Sequence, residues 1–189
     1  MKIQMVVPVL LAVLLAGCKL SCLFCVLSLH PLYEERNLVS EPALAGSWTD
    51  ESGHDTWTFA QDGERAYKLT ITTDENPDKD ENPLKFEVHL LQLGGLLFLD
   101  LSDQDSGLTG IPGHVFAKVR LEGDQLGLAF LSNGWMKQKL VQERSLSFVP
   151  TGDGKPIAIT ASTGDLQYFF VRYATDAKAF EEEGVLRRK

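Results

Sequence analysis

Basic charge, cysteine, histidine and helical periodicity are all scarce in this chain, and each scarcity excludes something. Its 189 residues carry 18 Lys and Arg against 26 Asp and Glu, a formal net charge of -8. That balance removes the electrostatic grip on phosphate backbones, so no nucleic acid is expected as a partner. The four histidines, His30, His54, His89 and His114, stand at no metal-ligating spacing, and no His-x-His or His-Glu-x-x-His string occurs. His89 and His114 fall on the polar faces of two different strands, where they can approach one another but read as solvated surface residues. There is no Gly-x-Ser-x-Gly elbow, phosphate-cradling loop or dinucleotide fingerprint. No catalytic residue, no metal and no cofactor is therefore expected, and the chain reads as non-enzymatic.

Calcium gets only a fragment of a motif. Asp78-Lys79-Asp80-Glu81-Asn82 has the spacing of the first three ligands of an EF-hand loop, and Asp103-Gln104-Asp105 repeats part of it. Pro83 stands where such a loop needs Gly, and the closing Glu is missing, so both stretches read as acidic, soluble loops. The three cysteines are Cys18, Cys22 and Cys25. Cys22-Leu23-Phe24-Cys25 has redox or zinc spacing, but no second Cys/His cluster completes a zinc site. It sits in an apolar stretch, without the sheet and helix N-terminus that a redox pair needs. No chemistry is assigned to it.

What the chain does have begins with one long apolar run. Met1-Lys2 is followed by apolar residues from Met5 to Ala16, then by Gly17 and Cys18. A charged start, an apolar stretch too short to span hydrocarbon and a small-residue exit describe a signal peptide. Leu15-Ala16-Gly17-Cys18 is similar to the lipobox of bacterial lipoproteins. The resemblance implies cleavage before Cys18, fatty acylation (palmitate or a similar chain) of that Cys, and attachment to the membrane through the N-terminal lipid. Lys19, in place of Asp, points to the outer membrane if the organism has one. The alternative is an uncleaved anchor from Met5 to Leu29, at the cost of Lys19 inside it. The chain thus divides into a signal peptide at 1–17, a lipid anchor and tether at 18–44, one β-barrel domain with two helices at 45–180, and a charged tail at 181–189.

From Ala45 the pattern changes to short runs with period-two alternation, bounded by turn residues. Trp57 and Phe59 lead to an Asp62-Gly63 turn, and Tyr67, Leu69 and Ile71 follow. Leu84, Phe86, Val88 and Leu90 form the next apolar face, and Gly94-Gly95 turns the chain into Leu96 to Leu101. Val115, Ala117, Val119 and Leu121 precede Glu122-Gly123-Asp124, then Leu126, Leu128 and Phe130. Consecutive runs joined by hairpin turns predict an antiparallel meander closed into a barrel, or a curved sandwich, between Ala45 and Val149. Two helices are predicted outside it. One starts at Ser132-Asn133 and carries Trp135, Met136 and Leu140. The other is capped by Ser162 or Thr163 and carries the stripe Leu166, Phe169, Phe170 and Tyr173.

Gly46-Ser47-Trp48 is similar to the Gly-x-Trp motif of lipocalins, whose Trp plugs the closed end of an eight-stranded barrel. The longer order is a lipobox Cys, Ser28-Leu29-His30-Pro31-Leu32-Tyr33, an acidic segment, Pro42 to Trp48 and Asp55-Thr56-Trp57-Thr58-Phe59. It resembles a family of uncharacterised bacterial lipoproteins with lipocalin-like barrels. In that family the anchor Cys lies only a few residues before Ser-Leu-His-Pro-Leu-Tyr, a spacing that Cys25 matches. Phe24 is too large for the position before a cleaved Cys, so Cys18 remains the expected attachment site. The resemblance implies a lipocalin-like barrel and carries no activity.

Two functions follow for such a protein. In the first, the barrel binds an apolar small molecule or lipid. The residues expected to face it are Trp48, Trp57, Phe59, Tyr67, Leu69, Phe86, Val88, Leu97, Leu99, Ala117, Val119, Leu128 and Phe130. In the second, those side chains fill the barrel, and the outer surface contacts another envelope component. An enclosed cavity of about 300 Å³ or more distinguishes the first from the second.

Overall fold

The computed structural model describes residues 27–73, 83–103, 113–143, 146–150, 156–180 and 184–189. The expected signal peptide at 1–17, Cys18, the Cys22/Cys25 pair, the stretch 78–82 and residues 104–105 lie outside the described residues. A two-residue strand, β1 (Leu27–Ser28), comes first, and alternation then produces the strands that the pattern predicts: β2 (Gly46–Thr49), β3 (Asp55–Gln61), β4 (Ala66–Thr73), β5 (Leu84–Leu93), β6 (Leu96–Ser102), β7 (His114–Glu122) and β8 (Gln125–Phe130). They are followed by α1 (Asn133–Glu143), β9 (Phe148–Pro150), β10 (Pro156–Ile159), α2 (Thr163–Tyr173) and β11 (Gly184–Arg188).

From β2 to β8 each strand pairs antiparallel with the next. β11 then pairs with β8 through Gly184↔Leu128 and with β2 through Arg188↔Trp48, which closes an eight-stranded barrel. The barrel removes every free edge among those strands, which an open sandwich does not. The closing strand corrects one expectation. Residues 181–189 read as a charged tail because Arg187, Arg188 and Lys189 follow three Glu. Yet Leu186 is buried in the bore and the 184–188 backbone completes two ladders. The strand is too short to show a period, and its pairing partners are remote in sequence.

A second correction concerns the tether. From Leu27 onward residues 18–44 belong to the folded body, with Leu32, Leu38 and Leu44 buried. β1 pairs with β10 and, through Ser28↔His114, with β7. The chain then crosses the outside of the barrel, pairing Leu38 with Leu91, and ends in a short turn of helix at Pro42–Leu44 below β2. It therefore runs from one end of the barrel to the other. The turns at 62–65, Gly94-Gly95 and Gly123-Asp124 gather at the end where β2 begins. The strand ends at Thr73, Leu84, Ser102 and His114, together with β1, lie at the opposite end. Gly94 and Gly95 have φ of 57° and 82°, the left-handed pair that a two-residue hairpin requires.

Two apolar cores result. The bore holds Trp48, Phe59, Leu69, Val88 and their neighbours. An outer layer packs α1, α2 and the crossing segment on the outward side chains Leu91, Phe98, Phe116 and Ala129. The helices match their predicted positions, and the Ser162 hydroxyl accepts from the Asp165 amide as N-cap. Phe116, on the polar face of its strand by alternation, is buried against Phe170 with ring centroids 5.3 Å apart. Phe148 and Val149 lie outside the barrel, in a small sheet with β10 and β1.

Candidate functional site

The bore is the first place where a function can sit, and its closed end is built from three segments. Trp48 points inward from β2 and donates its indole N–H to the Leu44 carbonyl at 2.9 Å. The Arg188 guanidinium lies 4.3 Å above the Trp48 ring, a cation–π contact. The same guanidinium donates to the Ala45 carbonyl at 3.1 Å and to that of Ala43. Gly46 makes this approach possible, because its φ is 132° and a Cβ there would lie 2.7 Å from an Arg188 nitrogen. The Tyr67 hydroxyl donates to the Glu41 carbonyl at 3.1 Å and accepts from the Glu41 amide at 2.9 Å. The indole N–H and the phenol of the bore are thus engaged by the turn that caps it. Toward the other end Trp57 and Phe130 approach across the interior, with ring centroids 6.5 Å apart at 49°.

Every side chain expected to face a ligand lies on the inward side of its strand. Trp48, Trp57, Phe59, Tyr67, Leu69, Phe86, Val88, Leu99, Val119 and Leu128 are buried together, with Leu97 and Phe130 packed against them. Ala117 stands opposite Leu99 and Phe130, on the same face. Sequence reasoning left Leu44 and Leu186 out of this set, because they sit in the segments read as tether and tail. A ligand-sized cavity would leave its lining side chains with surface that water can reach. Val88, Leu99, Ala117 and Leu126 have 0%, whereas Leu128, Phe86, Trp57 and Val119 keep 4–8% and Leu97 and Phe130 are half-buried. Among the described residues, no buried side-chain nitrogen or oxygen lacks a hydrogen-bond partner. The bore therefore offers apolar contact, and its fully buried polar side-chain atoms are already engaged.

A second constellation lies on the outer wall. Asp100 points outward from β6 and is 1% exposed. One carboxylate oxygen accepts from the Leu32 amide at 2.7 Å, and the other lies 2.6 Å from Nδ1 of His114. His89, opposite Asp100 in register, stacks on Tyr33 with ring centroids 4.1 Å apart and lies 3.7 Å from Glu87. The expectation that His89 and His114 are solvated is corrected here, since their side chains are 12% and 19% exposed. The crossing segment covers them, and local alternation carries no sign of a distant segment folding back. The available signal was Asp100 itself, a carboxylate inside the apolar run from Leu96 to Leu101.

Chemically, Asp100 can orient the His114 imidazole through Nδ1, as a general base requires. The nearby Ser28 hydroxyl, however, donates to the His30 carbonyl at 2.7 Å, so its proton is directed away from the imidazole. The geometry fits a staple better than a catalytic pair, because it joins the crossing segment, β6 and β7. Burial, and then the charges of Asp100, Glu87 and Glu35, push the Tyr33 hydroxyl pKa upward. Among the described residues no group of three or more His, Cys, Asp or Glu is placed to hold a metal ion, and no helix is long and apolar enough to cross a membrane. No protein-family model, curated protein or solved structure matches the chain.

Proposed function

We propose that this chain is a bacterial envelope lipoprotein with a lipocalin-like barrel, held at the membrane through an acylated Cys18. Its barrel acts as a packed scaffold, and its outer surface contacts another envelope component. The observation that carries the scaffold reading is the bore, whose central side chains are out of reach of water. The indole of Trp48 and the phenol of Tyr67 are engaged by the chain's own Glu41–Leu44 turn. With the bore closed, contact falls to the outside, where Tyr168 and Val171 stand 72% and 50% exposed on α2. The lipocalin-like assignment is supported by the Gly46-Ser47-Trp48 string and by the closed eight-stranded antiparallel meander. The anchoring rests on Leu15-Ala16-Gly17-Cys18, and the outer-membrane location on Lys19.

Lipid extraction and native mass spectrometry of protein purified from membranes test the scaffold directly. The expected result is no cargo beyond the covalent acyl chains and no saturable uptake of a fluorescent fatty acid. A stoichiometric lipid, displaced by that probe, would restore the ligand-binding reading. Anchoring is tested by mass spectrometry and fractionation. The native protein should begin at an acylated Cys18, and the Cys18→Ser form should leave the membrane fraction. If Cys18→Ser stays with membranes and keeps its first 17 residues, the uncleaved anchor is correct.

A further inference from the structure

We infer that the barrel stands on the membrane with its β1 end down, and that the outward face of the β1–β10–β9 sheet lies against the lipid surface. The inference rests on the anchored reading above and adds the orientation that the fold imposes on it. The register places Leu27, Ala158 and Val149 side by side in one row, and Ser28, Ile159 and Phe148 in the next. Partners in a row share a face, and successive rows alternate. The Ser28 row turns inward, with Ser28 and Ile159 buried, so the Leu27 row turns outward. In that row Ala158 is 5% exposed between its two neighbours and Val149 is 44% exposed, and Leu29, two residues beyond Leu27, is 40% exposed. None of the three strands, Leu27–Ser28, Phe148–Pro150 and Pro156–Ile159, contains a charged residue. A chain of net charge -8 thus displays an uncharged apolar face.

The position of Leu27 names the occupant. Eight residues, 19–26, separate Cys18 from Leu27, and a fully extended chain over that interval reaches about 30 Å. An attachment at Cys25 shortens the reach to about 7 Å. An attachment at Cys25 holds the sheet beside the lipid, one at Cys18 keeps it within that longer reach, and in both the short-turn end with Gly123-Asp124 is the end farther from the anchor. The contact is apolar, so it does not depend on anionic lipid, which an acidic protein would avoid in any case.

The test uses the full-length acylated protein in phosphatidylcholine vesicles whose acyl chains carry bromine, a contact quencher. A fluorescent amino acid replaces either Val149 or Asp124, both exposed, and its quenching is compared after flotation. The Val149 probe should be quenched several-fold more than the Asp124 probe, with no change when anionic lipid is added. If the protein floats but the two probes are quenched alike, or Asp124 more, the orientation is wrong while the anchor stands. If it fails to float, the anchored reading falls and takes the orientation with it.

Discussion

The bore and the outer layer are both apolar cores, yet they differ in where their residues come from. Most of the bore is supplied by seven strands that follow one another between Gly46 and Phe130, and each contributes alternate side chains. The outer layer gathers Leu32 and Leu38 from before the barrel, Phe98 and Phe116 from its wall, and Leu140, Phe169 and Phe180 from after it. The first core needs mostly local pairings, with β11 its one strand from far along the chain, whereas the second needs three distant parts of the chain to meet. Closing such long loops costs entropy that only the finished contacts offset. The bore should therefore behave as the more autonomous unit.

The largest effect is expected at the closed end. Trp48→Ala empties the bore beneath Arg188 and should cost about 3–5 kcal/mol, lowering the urea midpoint with little change in slope. A cost below about 1 kcal/mol would mean that this end is not closely packed. Next comes the outer layer. Phe170 touches Phe98, Phe116 and Phe180, and Phe170→Ala should cost about 3 kcal/mol, near the lower end of the range because surface helices can relax into the gap. Hydrogen exchange should then show α2 and the β1 region losing protection before β3 to β5. Equal loss in both would make the two cores one cooperative unit.

A smaller change probes the staple between the two regions. Asp100→Ala strands the Leu32 amide and frees the His114 ring, at a cost of about 1–3 kcal/mol. Limited proteolysis should cut between residues 27 and 44 sooner in this variant, while Asp100→Asn, which keeps an acceptor, resists longer. If cleavage is unchanged, the segment is held by Leu32 and Leu38 alone. The smallest effect is a pH dependence. Tyr33 has its pKa raised by burial and by the Asp100, Glu87 and Glu35 charges, so folding favours the neutral phenol. Its contribution is complete below the unfolded value of about 10 and is lost as pH rises through the folded value. Tyr33→Phe should therefore flatten the fall in stability above about pH 10, and an unchanged slope would place the alkaline sensitivity elsewhere.

Those differences also explain what was legible before folding. The alternation of Tyr67, Leu69 and Ile71, or of Phe86, Val88 and Leu90, identifies inward residues because a strand's two faces are written in every second position. Ser162 and the Leu166–Phe169–Phe170 stripe mark α2 for a comparable reason. His89 and His114 were misread because alternation reports which face a side chain takes, and not what later covers that face. Phe116 shows the same limit, an apolar residue on an outward face whose partner, Phe170, lies 54 positions away.

The sequence by itself determined an antiparallel meander with an apolar inner face and two external helices. These are local properties, carried by period and turn residues. Only the tertiary structure decided that Gly184–Arg188 closes the barrel, that residues 27–44 cross its outside, and that Asp100 is buried between them. Each of these depends on segments far apart in the chain. A short strand or a lone carboxylate has no period of its own, and its place is set by the surface it completes.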